Sequence, residues 1–124
     1  MTTLPSKAKV VIIGGGIHGV HIAAKLLGEA GVEPSTLRIV DPGERLLQRW
    51  RACTATTGMT HLRSPCVHHL DLDPWSMLKF AGSEEDRSPS LFASPNSRPH
   101  LEFFNEHCDK VIGEYGLDAL AARA

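Results

Sequence analysis

The chain has 124 residues, 42% hydrophobic and 22% charged, with a formal net charge of −1, which is the make-up of one soluble globular domain. Several classes are excluded. No basic patch accumulates for nucleic acid, no apolar run reaches the 18 residues of a membrane span, and Lys7 and Lys9 precede a short strand broken by glycine rather than a signal peptide. Three cysteines at wide spacings, Cys53, Cys66 and Cys108, fit reduced thiols and a cytoplasmic location better than a disulfide framework.

Residues 1–6 are a short polar lead. Val10, Val11, Ile12 and Ile13 form a continuous β-branched run, expected as a strand covered on both faces of a parallel sheet. It runs into Gly14, Gly16 and Gly19, spaced G-x-G-x-x-G. The three glycines meet different physical demands. Gly14 makes the tight turn, Gly16 lets the backbone approach a pyrophosphate, and Gly19 lets the helix lie close to the strand. Ile17, Val20, Ala24, Leu27 and Ala30 then recur at helical spacing, so a helix is expected over residues 16–30. Its first amides and dipole favour a bound anion, with Ile17 and His18 beside it. Pro34 stops the helix and delivers the chain to a second strand, residues 37–40. That strand ends in Asp41, about 20 residues past the last motif glycine, where a ribose-binding acid is expected. The fold class is therefore α/β, a Rossmann-like βαβ unit with additional helices. Asp41 would repel a 2′-phosphate, which favours FAD or NAD over NADP at this site.

A helix is expected over residues 44–54, with Leu46, Leu47 and Trp50 on one side. Residues 56–70 have no period and read as a binding loop. Asp73 is placed to cap a short helix with Pro74 at its first position. Residues 81–98 turn to Gly, Ser, Pro and charged residues, a long surface loop. A last amphipathic helix follows, carrying Leu101, Phe104, Cys108, Val111, Ile112 and Tyr115, with Gly116 as its cap. Residues 117–124 hold no β-branched run, so no third strand is expected. Trp50 and Trp75 read as packing residues. No C-x-x-C pair occurs, and Cys66, His61, His68 and His69, with His107 and Cys108 on the last helix where Cys108 sits on the apolar stripe, read as scattered loop histidines and a buried thiol rather than a metal site. No activating turn surrounds any cysteine, so no catalytic residue is named.

Taken in this order, the glycine turn, Asp41, the Trp50 helix, the Gly-Met-Thr-His-Leu-Arg-Ser-Pro segment at 58–65 and the Arg-Pro-His-Leu-Glu-Phe segment at 98–103 resemble the N-terminal part of two-dinucleotide flavoproteins. The resemblance is to flavin-dependent monooxygenases, including the lysine/ornithine N-hydroxylase type. It implies FAD as cofactor, its pyrophosphate on Gly14, Gly16 and Gly19, its ribose on Asp41, and Met59, Leu62 and Arg63 near the flavin ring. It also implies an incomplete FAD/NAD(P)-binding domain in one unit, residues 1–124. Its parts are the βαβ unit at 8–41, a helix and flavin-proximal loop at 42–80, the surface loop at 81–98 and the amphipathic helix at 99–116. The second glycine motif of such enzymes, for NADPH, is missing from the sequence. NADPH would enter only with a missing second domain, and a second polypeptide could complete the enzyme. The alternatives are a non-catalytic dinucleotide-binding or interaction module and an NAD-dependent dehydrogenase fragment.

Overall fold

The computed structural model describes residues 8–82 and 91–123. Strand β1 (Val10–Ile13) leads through the glycine turn into helix α1 (Ile17–Gly28), and a 3-10 turn at Pro34–Thr36 feeds strand β2 (Leu37–Asp41). Helices α2 (Gln48–Thr56) and α3 (Ser76–Ala81) follow, then a small hairpin of β3 (Phe92–Ala93) and β4 (Arg98–Pro99). Helix α4 (Leu101–Tyr115), a 3-10 turn at Leu117–Leu120 and strand β5 (Ala121–Arg123) close the order.

All three strands of the main sheet run parallel, in the order β1, β2, β5. Val10 to Ile13 lie opposite Leu37 to Val40, and Ile39 to Asp41 opposite Ala121 to Arg123. The sequence reading of two strands is thus corrected to three. The sequence Ala-Ala-Arg has no strand propensity of its own, and β5 exists because β2 offers it a parallel ladder. This mixed α/β arrangement, a parallel sheet with helices packed on it, is the expected Rossmann-like βαβ unit with additional helices.

The core lies between the sheet and its helices. Val20, Ala23 and Ala24 of α1 are fully buried with Leu37 and Ile39 of β2 and with Phe104, Cys108 and Val111 of α4. The two alanines keep α1 slim where it meets its neighbours, and each large side chain so buried stabilises the fold by about 1.5–3 kcal/mol. Helix α4 ends at Gly116, whose φ of 63° is the left-handed geometry of a helix C-cap, and Leu117 behind it is fully buried.

Several expected boundaries move. Helix α1 stops at Gly28. Helix α2 begins at Gln48 because Leu47 adopts φ 64° and cannot be helical. Asp73 does accept an amide, from Trp75 at 3.0 Å, but this closes a turn and α3 starts at Ser76. Within the expected surface loop, residues 83–90 lie outside the described residues, and β3 and β4 occupy part of the rest. Strand β1 is not covered on both faces: Val10 and Ile12 face the core, whereas Val11 is 47% and Ile13 82% exposed. Among the described residues no strand pairs with the outer edge of β1. No helix among them is long and apolar enough to cross a membrane.

Candidate dinucleotide site

The glycine turn is built almost wholly from backbone. Gly14 takes φ 107°, a conformation closed to residues with a Cβ, and its amide continues the ladder to Val40 O at 2.8 Å. A Cβ on Gly19 would stand 2.0 Å from the Gly14 carbonyl oxygen and 3.3 Å from Ile12, so the helix can lie this close to the strand only because the position has no side chain. Gly16 differs: a Cβ there would meet nothing within 4 Å. The space in front of it is open to a ligand. Gly16 is also the N-cap of α1, with no side chain capping the helix and no acid in its first turn. The amides of Ile17, His18 and Gly19 therefore have no intrahelical partner and sit at the positive end of the helix dipole. These are the features a pyrophosphate needs, so the residues present fit the group.

Asp41, at the end of β2, folds back onto the turn. Its Oδ2 accepts from the Gly15 amide and its Oδ1 from the Gly43 amide, both at 2.8 Å. Each carboxylate oxygen has lone-pair capacity left for a ribose hydroxyl. Gly15 and Leu47 support the turn in a way that the motif spacing does not reveal. Gly15 is buried, with room for no Cβ free of Leu46 and Asp41, and its carbonyl accepts from the Leu47 amide at 2.8 Å. The left-handed Leu47 thus braces the turn from behind.

The segment after α2 is held by a short antiparallel contact. Leu62 donates its amide to Pro99 O and Leu101 donates to Thr60 O, both at 2.9 Å. Leu62 is buried and, with Ile17 and His18, lines a cavity of about 770 Å³. Met59 is half-buried against the core and Arg63 is exposed, and neither lines that cavity. Of the nine expected cofactor residues, Gly14, Gly16, Ile17, His18 and Gly19 therefore form one turn, Asp41 braces it, and Leu62 joins it through the cavity wall. Met59 and Arg63 stand apart.

A second polar cluster lies inside the molecule. The Ser76 hydroxyl donates to Asp71 Oδ2 and lies 3.0 Å from His107 Nε2, while Tyr115 and the Leu72 amide donate to Asp71 Oδ1. With the hydroxyl proton committed to Asp71, Nε2 of His107 is the donor to Ser76. Acid, serine and imidazole are all present, but the serine stands between the other two, and the imidazole gives a proton where a nucleophile's base must take one. The cluster is a fastener, not a catalytic triad.

Burial, helped by the adjacent His69 ring at 4.8 Å, pushes His107 down to about 4, and its buried Nδ1 meets no partner among the described residues. Burial alone would raise the Asp71 carboxyl, but its hydrogen bonds from Ser76, Leu72 and Tyr115 leave it below the usual range. His69 is buried too, and burial lowers it against the opposing hydrogen bond to Pro74 O. His69 lies in the loop before α3 and His107 on the last helix, as expected, and both are buried. Cys108 is a fully buried core residue, and that burial raises its thiol to about 12. Trp50 packs on Phe104 as expected, but Trp75 is 56% exposed and packs little.

The protein-family comparison agrees with the turn. A family model described as FAD-NAD(P)-binding matches residues 11–116, from the middle of β1 to the cap of α4. No curated protein and no solved structure matches the chain. A match that spans the glycine turn, Asp41 and the cavity wall together covers most of the chain, and by it the chain belongs to the FAD-NAD(P)-binding family.

Proposed function

We propose that this chain binds FAD, with the pyrophosphate at Gly14, Gly16, Ile17, His18 and Gly19 and the adenosine ribose at Asp41. In this reading it is the N-terminal portion of a cytoplasmic flavin-dependent oxidoreductase of the monooxygenase type, similar to lysine/ornithine N-hydroxylases. The observation that carries the reading is the uncapped start of α1 facing the open space before Gly16. Met59, Leu62 and Arg63 are assigned to the flavin side on resemblance. Bound flavin supplies the redox chemistry of this class, and the chain supplies binding and orientation. No catalytic acid or base is assigned.

The chain acts as a single, incomplete domain whose parts are the units at 8–41, 42–80, 81–98 and 99–116. A second polypeptide that supplies the NADPH half and further strands completes it. The outer edge of β1, unpaired among the described residues, and its exposed Val11 and Ile13 support that partner, since parallel sheets are ordinarily covered on both faces. The test is an absorbance spectrum of the purified, desalted protein, with any released cofactor identified by chromatography. Flavin bands with FAD released are expected, and no NADPH oxidation by the chain alone. A folded protein that neither retains nor takes up FAD refutes the reading.

A non-catalytic module is the second reading. It draws on Asp41, whose two oxygens are already engaged by backbone amides and could serve the fold alone.

A further inference from the structure

The cavity of about 770 Å³ does not end at the glycine turn. It extends along α1 from Ile17 to Lys25, which at 1.5 Å per residue is about 12 Å. That length and volume exceed what a pyrophosphate occupies and lie in the range of small-molecule sites. Its floor is apolar and partly aromatic, with Trp50 and Phe104 in contact at 5.6 Å between ring centroids and Leu62 and Leu72 beside them. Its polar groups are mostly of one kind. His18, His21 and Lys25 are spaced i, i+3 and i+7, one stripe of α1, and His68 faces the cavity from the loop after α2.

Asp71 is the one acid lining it among the described residues, and its carboxylate is turned to Ser76, Tyr115 and the Leu72 amide, whose hydrogen bonds it accepts. His69 also lines it but has both ring nitrogens engaged, by Pro74 O and the Asp71 amide. His21 donates its Nδ1–H to Leu70 O at 2.8 Å, which fixes the ring against the wall and leaves Nε2 of the neutral ring an acceptor, so Lys25 is the cation available to an anionic ligand. Among the described residues the Lys25 ammonium is paired only with Glu29, at 3.7 Å between two half-exposed side chains.

We infer that this cavity is a separate site for a small apolar acid, whose hydrophobic or aromatic body lies on Trp50, Phe104 and Leu72 and whose carboxylate meets Lys25. The site is adjacent to the dinucleotide turn through Ile17 and His18. Only the ligand's role as the flavin's substrate rests on the FAD reading, while its binding does not.

The test is calorimetric titration of the 124-residue protein with 4-phenylbutyrate and with 4-phenylbutylamine, with and without saturating FAD. The acid is expected to bind and the amine not. Lys25→Glu should weaken the acid at least ten-fold, while Lys9→Glu, the same charge change at the exposed start of β1, should leave it within two-fold, with circular dichroism confirming that both variants fold. Equal binding of acid and amine, equal effects of the two lysine variants, no binding of the acid by folded protein, or displacement of the acid by FAD would each overturn the proposal. Acid binding in a protein that does not bind FAD would uphold the cavity and refute the FAD reading instead.

Discussion

The glycine turn and the Asp71 cluster are both held by a carboxylate, yet they are opposite constructions. At the turn, Asp41 takes two amides from behind, and the next amides at the start of α1 are left facing open space. In the cluster, Asp71, Ser76 and Tyr115 spend their hydrogen bonds on one another and tie the chain before α3 to α4. One arrangement uses side chains to display backbone donors, and the other uses side chains to fasten elements. A polar cluster marks a candidate binding site when its donors are left over, not when they are merely gathered.

The sharpest way to break this contrast is at the glycines. Gly19→Ala puts a methyl 2.0 Å from a carbonyl oxygen. The helix must then lift from the strand, which we expect to cost about 3 kcal/mol or more in urea denaturation and to remove FAD binding with it. Gly16→Ala meets no protein atom, and its φ of −84° is open to alanine. Its stability should therefore change by no more than about 0.5 kcal/mol while FAD affinity falls at least ten-fold. If Gly16→Ala retained FAD, the open space before it would not be the pyrophosphate site.

The cluster should announce itself through pH. His107 is pushed down to about 4 from an unfolded value of 6.5. As pH falls below 6.5 the unfolded chain takes a proton that the folded one refuses, so this stability is present above 6.5 and lost progressively down to about pH 4. The whole effect is on the order of 3 kcal/mol. His107→Gln keeps an N–H for Ser76 but cannot titrate, and its loss of stability between pH 6.5 and 4 should be shallower than that of the wild type. Parallel curves in thermal melts would show that His107 is not held neutral by its surroundings.

How far these two regions can be read from sequence differs in the same way. Strand, glycine turn, α1, β2 and Asp41 are encoded locally, by an apolar run, a glycine spacing and a helical period within some thirty residues. The Asp71 cluster joins residues 71, 76, 107 and 115, and no spacing connects them. Its one available signal is His107 on the buried face of α4, between Phe103 and Val111. Strand β5 is invisible because pairing with β2, not propensity, makes it a strand. Leu47 reads as helix because its left-handed backbone is imposed by its contact with Gly15 O. The cavity along α1 is half legible, since the histidine spacing is in the sequence but the wall opposite is a loop without period.

Changes to the carboxylates themselves should cost less stability than Gly19→Ala, and here the order of the two is what matters. Asp71→Asn keeps one acceptor oxygen but turns an NH₂ toward a hydroxyl or amide that donates, in a setting where Ser76 and His107 are buried. It should cost about 2 kcal/mol with no change in FAD affinity. Asp41→Asn makes the same mismatch against Gly15 and Gly43 in a half-exposed turn where water can substitute. About 1 kcal/mol of stability is expected there, together with a ten-fold or greater loss of FAD affinity, because the displaced turn carries the amides that face the ligand. Equal stability losses with FAD affinity unchanged in Asp41→Asn would make Asp41 a fastener like Asp71 and move the weight to the non-catalytic reading.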